Sequence, residues 1–408
     1  MLRTVKSFGE SNASTAKIST DNASNCQKLR RVEKVVRLAK ETRDAPRNIV
    51  MAVAGSVSVL HASGIRKTGN LKKLVQRQRK GKVAMPKTLE ELILTNGDCV
   101  TSGGEDMLLY DSGPGRNRTV IFATISNLEF LALNTTWVVD GTFKVCPGIF
   151  SASGQLYTIQ AAKHRTTFPA VYMLMTNRSE KDYKDALGVL KSRHPALNPT
   201  TVMMDFEKGA FNSFHSVFPS AHVGGCFFHF AQSLWRKLQS FPSLLARYTA
   251  DRDFQLSIRQ LAALAFVPPD DVNSTYLFLL EQDLFLTRNE DEELNSFLEY
   301  FAKTWVGYID FTGRGTKPRF DIAWWNCYEA VLEDQPKTNN GIEGWHHAFA
   351  GSIGGPHPSI WNFIKFILSE QSLQEIRRNQ NTQGTSNTRQ RRLDSDLKAL
   401  VFKLFYNE

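Results

Sequence analysis

The sequence predicts a mixed α/β fold on three observations. Residues 117–230 hold six strand-like apolar runs with helical segments among the later ones. Residues 231–335 then change to helical periodicity almost throughout. The front of the chain, by contrast, carries the basic charge, and its first 27 residues have little apolar content. Three strands, then a helix, a strand, a helix and a strand form the pattern of a layered α/β sheet rather than a sandwich. With 408 residues and 42% hydrophobic content, the chain can bury a large core, and about 150 residues per domain gives two to three modules.

In chain order, residues 1–27 are rich in Ser, Thr and Asn and read as a disordered tail rather than a transit peptide. They lack an apolar stretch, which excludes a secretory signal. A helical period follows from Leu29 to Arg43, with Leu29, Val32, Val36 and Ala39 on one face. A second basic helix is expected over "NLKKLVQRQRK", residues 70–80, with Leu71, Leu74 and Val75 together. The strands are "TVIFAT", "TTWVVD", "QLYTIQAA", "AVYMLMT", "TTVMMDF" and "AHVGGCFF", with helices at 181–192 and 208–217. The helical block is broken at Pro268-Pro269. A last apolar helix is expected from Ser359 to Glu370, before a polar tail.

Charge and cysteine usage narrow the function. Residues 1–90 carry 20 Lys and Arg against 6 Asp and Glu, whereas the rest carry 30 against 34. Clustered basic residues are the electrostatic footprint of a polyanion partner, because they release counterions from phosphates. Cys26, Cys99, Cys146, Cys226 and Cys327 are scattered with no CxxC pair, which argues for a reducing compartment and against a disulfide scaffold or a standard zinc finger. No window approaches the roughly 20 apolar residues that span a bilayer, so a soluble protein without a membrane partner is expected.

Two strands end in acids. "TTWVVDGTF" closes on Asp140 and Gly141, and "TTVMMDFEKGA" on Asp205, followed by Glu207 and a helix start. Singly, such acids read as a turn former or a helix cap. Together they can lie side by side, where mutual repulsion calls for a cation, and hard oxygen donors suit Mg²⁺ or Mn²⁺. A third acid stands in "TNNGIEGWHH", where Asn339 or Asn340 is placed to cap a helix with Glu343 in its first turn. Three such acids suit phosphoryl transfer by two metals.

The segments "WVVDGTFKVCP", "QLYTIQ", "MMDFEKGA", "GCFFHFAQSLWRKLQ", "WNCY" and "TNNGIEGWHHAF", in that order, resemble the Mutator-like element (MULE) transposases. The insect members that often carry an N-terminal FLYWCH zinc finger are the nearest in character. The resemblance runs from about Arg30 to about Gly384. It implies a ribonuclease-H-like core interrupted by a helical insertion. It also implies a two-metal Mg²⁺ or Mn²⁺ site on Asp140, Asp205 and Glu343, and a DDE-type activity that cleaves transposon ends and transfers the freed 3′-hydroxyl to target DNA. Its Cys-x-x-His signature falls on Cys226 and His229. On a continuing strand, residues three apart point to opposite faces; His229 is expected near the catalytic centre, against the scissile phosphate or a metal-bound water, with Cys226 in support. No FLYWCH finger ligands are found at the front, so recognition of the ends is expected to fall to the basic helices.

The boundaries that follow are a basic region over 28–115, the first part of the core over 116–235 and the insertion over 236–335. The last part of the core spans 336–376, and a polar tail with a short helix spans 377–408. Expected DNA contacts are Lys72, Lys73, Arg77, Arg79, Lys80, Arg236 and Lys237, with Lys163 and Arg165 as further phosphate contacts. His347, four residues after Glu343, can reach the same site, and Trp324 and Trp325 can stack on an unpaired base. The expected partners are transposon terminal repeats, target DNA and further copies of the chain, in the nucleus. A transposase-derived regulatory protein that binds DNA without transposing is the rival reading.

Overall fold

The computed structural model describes residues 85–380 except 151–152, 164–165, 283–284, 286–290 and 310–314, together with Arg30, residues 32–38, Ile49, residues 51–53, Leu71 and Leu74. The described pieces of the basic front are helical, and Val35, Ile49, Val53 and Leu71 gather into a small apolar cluster. Val35 therefore takes the buried position, while Val32 and Val36 are half-buried. Lys72, Lys73, Arg77, Arg79 and Lys80 lie outside the described residues, as does the polar tail beyond Gln380.

Seven strands form one mixed sheet: β1 (Leu108–Asp111), β2 (Thr119–Phe122), β3 (Thr136–Thr142), β4 (Gln155–Lys163), β5 (Thr166–Met175), β6 (Thr201–Met204) and β7 (His222–Gly225). Their spatial order is β1-β2-β5-β4-β3-β6-β7. The pairs from β1 through β3 are antiparallel, whereas β3 with β6 and β6 with β7 are parallel. Parallel neighbours need a crossover, and the helices α2 (Glu180–Arg193) and α3 (Lys208–Val217) provide it.

Side-chain alternation divides the sheet into two buried faces. Ile121, Val139, Ile159 and Met173 pack with α1 (Ile125–Leu133), α2 and α3 on one side. Val120, Phe122, Leu156, Tyr172 and Leu174 pack on the other against α11 (Asn340–Ile353) and α12 (Ile360–Gln380). Burial on both faces explains why β4 and β5 read as nearly continuous apolar runs. Val138 and Met203 lie against Ile342 of α11. Since strand residues two apart share a face, Asp140 belongs on the side that α11 covers.

Between β7 and α11 the chain builds a second core. Helices α4 (Phe227–Gln239), α5 (Pro242–Ala250), α6 (Arg252–Ala263), α7 (Val272–Leu280) and α8 (Glu292–Phe301) surround Trp305 and Trp325. The helical periodicity expected over 231–335 breaks after α8. After α8 the chain makes one wide turn over Ala302–Val306 and ends at Gly307, φ 95°. A Cβ at Gly307 would meet the Thr316 carbonyl at 2.7 Å, because the chain doubles back into a two-stranded hairpin, β8 (Tyr308–Ile309) and β9 (Gly315–Thr316). Short helices α9 (Ile322–Trp325) and α10 (Tyr328–Leu332) complete the block. Among the described residues no helix is long and apolar enough to cross a membrane.

Candidate active site

Backbone pairing brings the first two acids together. β3 and β6 run parallel with Val138 opposite Met203, so Asp140 and Asp205 stand two residues further along at the same end of neighbouring strands. β3 does not stop at Asp140 as expected but continues to Thr142. Gly141 is therefore part of the strand, and its missing side chain makes room for the Gln155 amide and the Tyr157 ring.

Asp140 is buried. One of its carboxylate oxygens accepts a 2.8 Å bond from the Gly141 N–H. The other lies 3.4 Å from His346 Nδ1, and His346 Nε2 is 3.3 Å from Thr158 Oγ1. Thr158 is the cross-strand partner of Asp140 on β4, so the imidazole bridges the two strands from above.

Asp205 carries the clearest electrostatic signature. Burial first, then the neighbouring carboxylates of Asp140 and Glu207, push its carboxyl up to about 7. Glu207 is raised as well, chiefly by burial, although the Tyr183 hydroxyl donates to it at 2.9 Å and Arg178 opposes the rise. Like charges in a low-dielectric setting resist simultaneous ionisation. Asp205 and Glu207 are thus both raised by burial and, less, by the charge of Asp140.

The third expected acid, Glu343, lies in the first turn of α11 and is held by side chains. β7 ends at Gly225, one residue before Cys226, which is the N-cap of α4. That early end brings Cys226 and His229 to the same side of the chain, which a continuing strand would not. His229 Nε2 lies 3.3 Å from Glu343 Oε1. Cys226 Sγ donates to the Asn339 side-chain oxygen at 3.1 Å and accepts the Asn339 N–H at 3.2 Å. Asn339 is the N-cap of α11 but makes no side-chain cap bond there, since its amide serves Cys226. Cys-x-x-His on α4 and Asn-x-x-x-Glu on α11 therefore match rung for rung. Burial raises the Cys226 thiol to about 11, which keeps it protonated as the donor to Asn339.

Other candidates separate in the same way. His347 is exposed, and its neighbour His346 takes the place beside Asp140. The signal for His346 was present: Ile342, Trp345, Phe349 and Ile353 are the buried period of α11, and 346 falls on that stripe. Trp325 is fully buried, stacked on Phe230, and Trp324 packs on Phe320; both build the helical core rather than a stacking platform. Lys163 closes β4, half-buried, and Arg165 lies outside the described residues. Arg236 and Lys237 line a cleft that also reaches Asp205 and His229. Among the described residues, no three His, Cys, Asp or Glu side chains converge closely enough to hold a metal ion.

A mixed sheet that gathers acids at the ends of adjacent parallel strands, with a helical block spliced in before the helix that bears a further acid, defines an α/β protein with a carboxylate-centred site. Residues 136–233, from the start of β3 into α4, match the model of the MULE transposase domain. Over that stretch the chain is similar to a Mutator-like element transposase domain. The matched stretch includes Asp140, Asp205, Cys226 and His229, and Glu343 lies beyond it. No curated protein matches the chain.

Proposed function

We propose that the chain is a MULE-type DNA transposase of the DDE class, built on a ribonuclease-H-like core. The observation that carries this reading is the pairing of β3 with β6, which sets Asp140 beside Asp205. The order β5-β4-β3-β6-β7, three antiparallel strands followed by two parallel ones, supports the ribonuclease-H-like assignment. The helical block between β7 and α11 supports reading residues 236–335 as an insertion.

Asp140, Asp205 and Glu343 are the residues that would hold Mg²⁺ or Mn²⁺. The donor types fit: hard carboxylate oxygens, with Asp140 buried and Asp205 half-buried at the neighbouring strand end and resisting ionisation in the absence of a counter-charge. Such ions neutralise phosphoryl oxygens and lower the pKa of water. The protein's own groups orient and exclude. His346 and the Gly141 N–H fix the Asp140 carboxylate. His229 sets the direction of Glu343, and its imidazole can hold a proton at Nε2. The three acids would act as ligands rather than nucleophiles, so this reading needs no covalent enzyme intermediate; water and then the cleaved 3′ end would supply the hydroxyl. Transposon ends, target DNA, a multimer of the chain and a nuclear setting belong to the same reading.

One observation favours the rival, a transposase-derived DNA-binding protein: no three-ligand group is preformed among the described residues. A cleavage and strand-transfer assay on DNA ends with Mg²⁺ or Mn²⁺ separates the two. The transposase reading expects wild-type activity and losses on the order of 10²–10³-fold for Asp140→Ala, Asp205→Ala and Glu343→Ala, with DNA binding kept. An inactive wild type that still binds DNA selects the rival.

A further inference from the structure

We infer that the cleft between α4 and the hairpin-bearing edge of the helical block seats an unpaired DNA strand running away from Asp205. This inference rests on the proposed polynucleotide chemistry and names the form of DNA that the site takes. The cleft is an open groove of about 550 Å³, and its walls run from Asp205 and His229 to Arg236, Lys237, Tyr300 and Arg319. Clefts of roughly 300–1,000 Å³ accommodate ligands of drug size, which corresponds to one or two nucleotides of a single strand.

The charge in this cleft runs against its surroundings. Outside residues 1–90 the chain holds fewer bases than acids, 30 against 34, yet three cations converge here. Lys237 is oriented by ring faces: its ammonium sits 4.6 Å from the Phe241 centroid and 5.4 Å from that of Tyr300. Aromatic faces aim a cation without neutralising it, which leaves its charge for an anion. Arg319 lies over Phe320 at 5.3 Å, and its N–H is tied to the Lys303 carbonyl at 3.0 Å, so its base is anchored to the helical core. Arg236 is exposed at the cleft rim. Guanidinium forks and a lysine suit successive phosphates, and a tyrosine ring offers a sequence-tolerant surface for a base. Nucleotides leading away from the acid end of the cleft would therefore meet the cations of Arg236, Lys237 and Arg319, with the Tyr300 ring beside Lys237.

The test is binding in chelator, where no cleavage intervenes, read by fluorescence anisotropy on the full chain. The probes are a blunt labelled duplex and the same duplex with a short single-stranded arm. The arm is expected to tighten binding about ten-fold or more. The triple change Arg236→Ala, Lys237→Ala, Arg319→Ala is expected to erase that gain, weakening the armed probe more than the blunt duplex. It should also lower the salt slope for the armed probe by about 2, at about 0.7 per lost contact. Arg236→Glu alone, at an exposed position, is expected to weaken the armed complex with an unchanged melting curve, which guards against a folding defect in the triple variant. A wild type that ignores the arm, or variants that keep the preference and the slope, would overturn the inference. Cleavage in Mn²⁺ is scored separately: absence of cleavage with a cleft-dependent preference refutes only the catalytic reading, and cleavage with no cleft dependence refutes only this one.

Discussion

The two halves of the site are held by different kinds of force. Asp140 and Asp205 are fixed by a backbone ladder, since β3 and β6 are bonded neighbours and the acids follow at corresponding positions. Glu343 arrives from a helix more than a hundred residues later and is fixed by side chains, through Cys226 with Asn339 and His229 with Glu343. A ladder distributes its load over many peptide bonds. A two-rung side-chain brace depends on single atoms and can be released by one substitution. The comparison teaches that the acid pair is set by strand register, whereas the third acid comes on a helix packed against the sheet and is aimed by a few side chains.

The sharpest way to break the comparison is through the brace. Removing the imidazole with His229→Ala should lower cleavage by about 10–100-fold, the usual cost of losing an orienting partner. It should shift stability by no more than about 1 kcal/mol, because the pair is partly solvated. Comparing turnover with the melting curve checks both figures. If stability falls as far as activity, His229 is a packing residue.

Next in size is the buried rung. Cys226→Ala leaves the Asn339 N–H and amide oxygen without their partner and should destabilise the fold by about 1–3 kcal/mol. Cys226→Ser, which retains a donor and acceptor, should recover most of that loss. Chemical denaturation of both variants measures it. Equal losses would mean that volume matters rather than the bond.

The ladder-held pair should show the opposite sign. Burial and the neighbouring carboxylates push the Asp205 carboxyl from an ordinary 3.8 up to about 7. Below the ordinary value both states are protonated. Between the two values the unfolded chain releases a proton that the folded chain retains, so stability without divalent ions falls as pH rises through this window and levels off above it. Asp205→Asn should flatten that slope and raise the melting temperature at pH 8. A wild-type melting profile that rises across this window would contradict the proposed repulsion.

Much of this arrangement was legible in the residues. The helix over 208–217 and the six strands of the expected order are present, because their periods and apolar runs are strong. β1 and α1 escaped notice for a physical reason. Leu108–Asp111 is short and half-buried throughout, and Ile125–Leu133 is apolar on most sides, so neither shows a clear period. "TVIFAT" reads as strand through Thr124, but Thr124 caps α1 by accepting the Asn127 N–H. At the site, both Asp residues could be read from strand ends. The match of Cys-x-x-His to Asn-x-x-x-Glu could not, since it depends on where β7 stops and on a contact spanning the helical block. His346 was recoverable from the apolar stripe of α11, while proximity in sequence to Glu343 pointed to His347.

The central claim is that the strand-held pair and the brace-held acid work as one cation site. Calorimetric titration of Mn²⁺ into the full chain tests it most directly, alongside Asp205→Asn and Glu343→Gln. The account predicts saturable binding by the wild type, abolished in the first variant and weakened about 10–100-fold in the second. Absence of binding by the wild type, or equal binding by all three proteins, would contradict it.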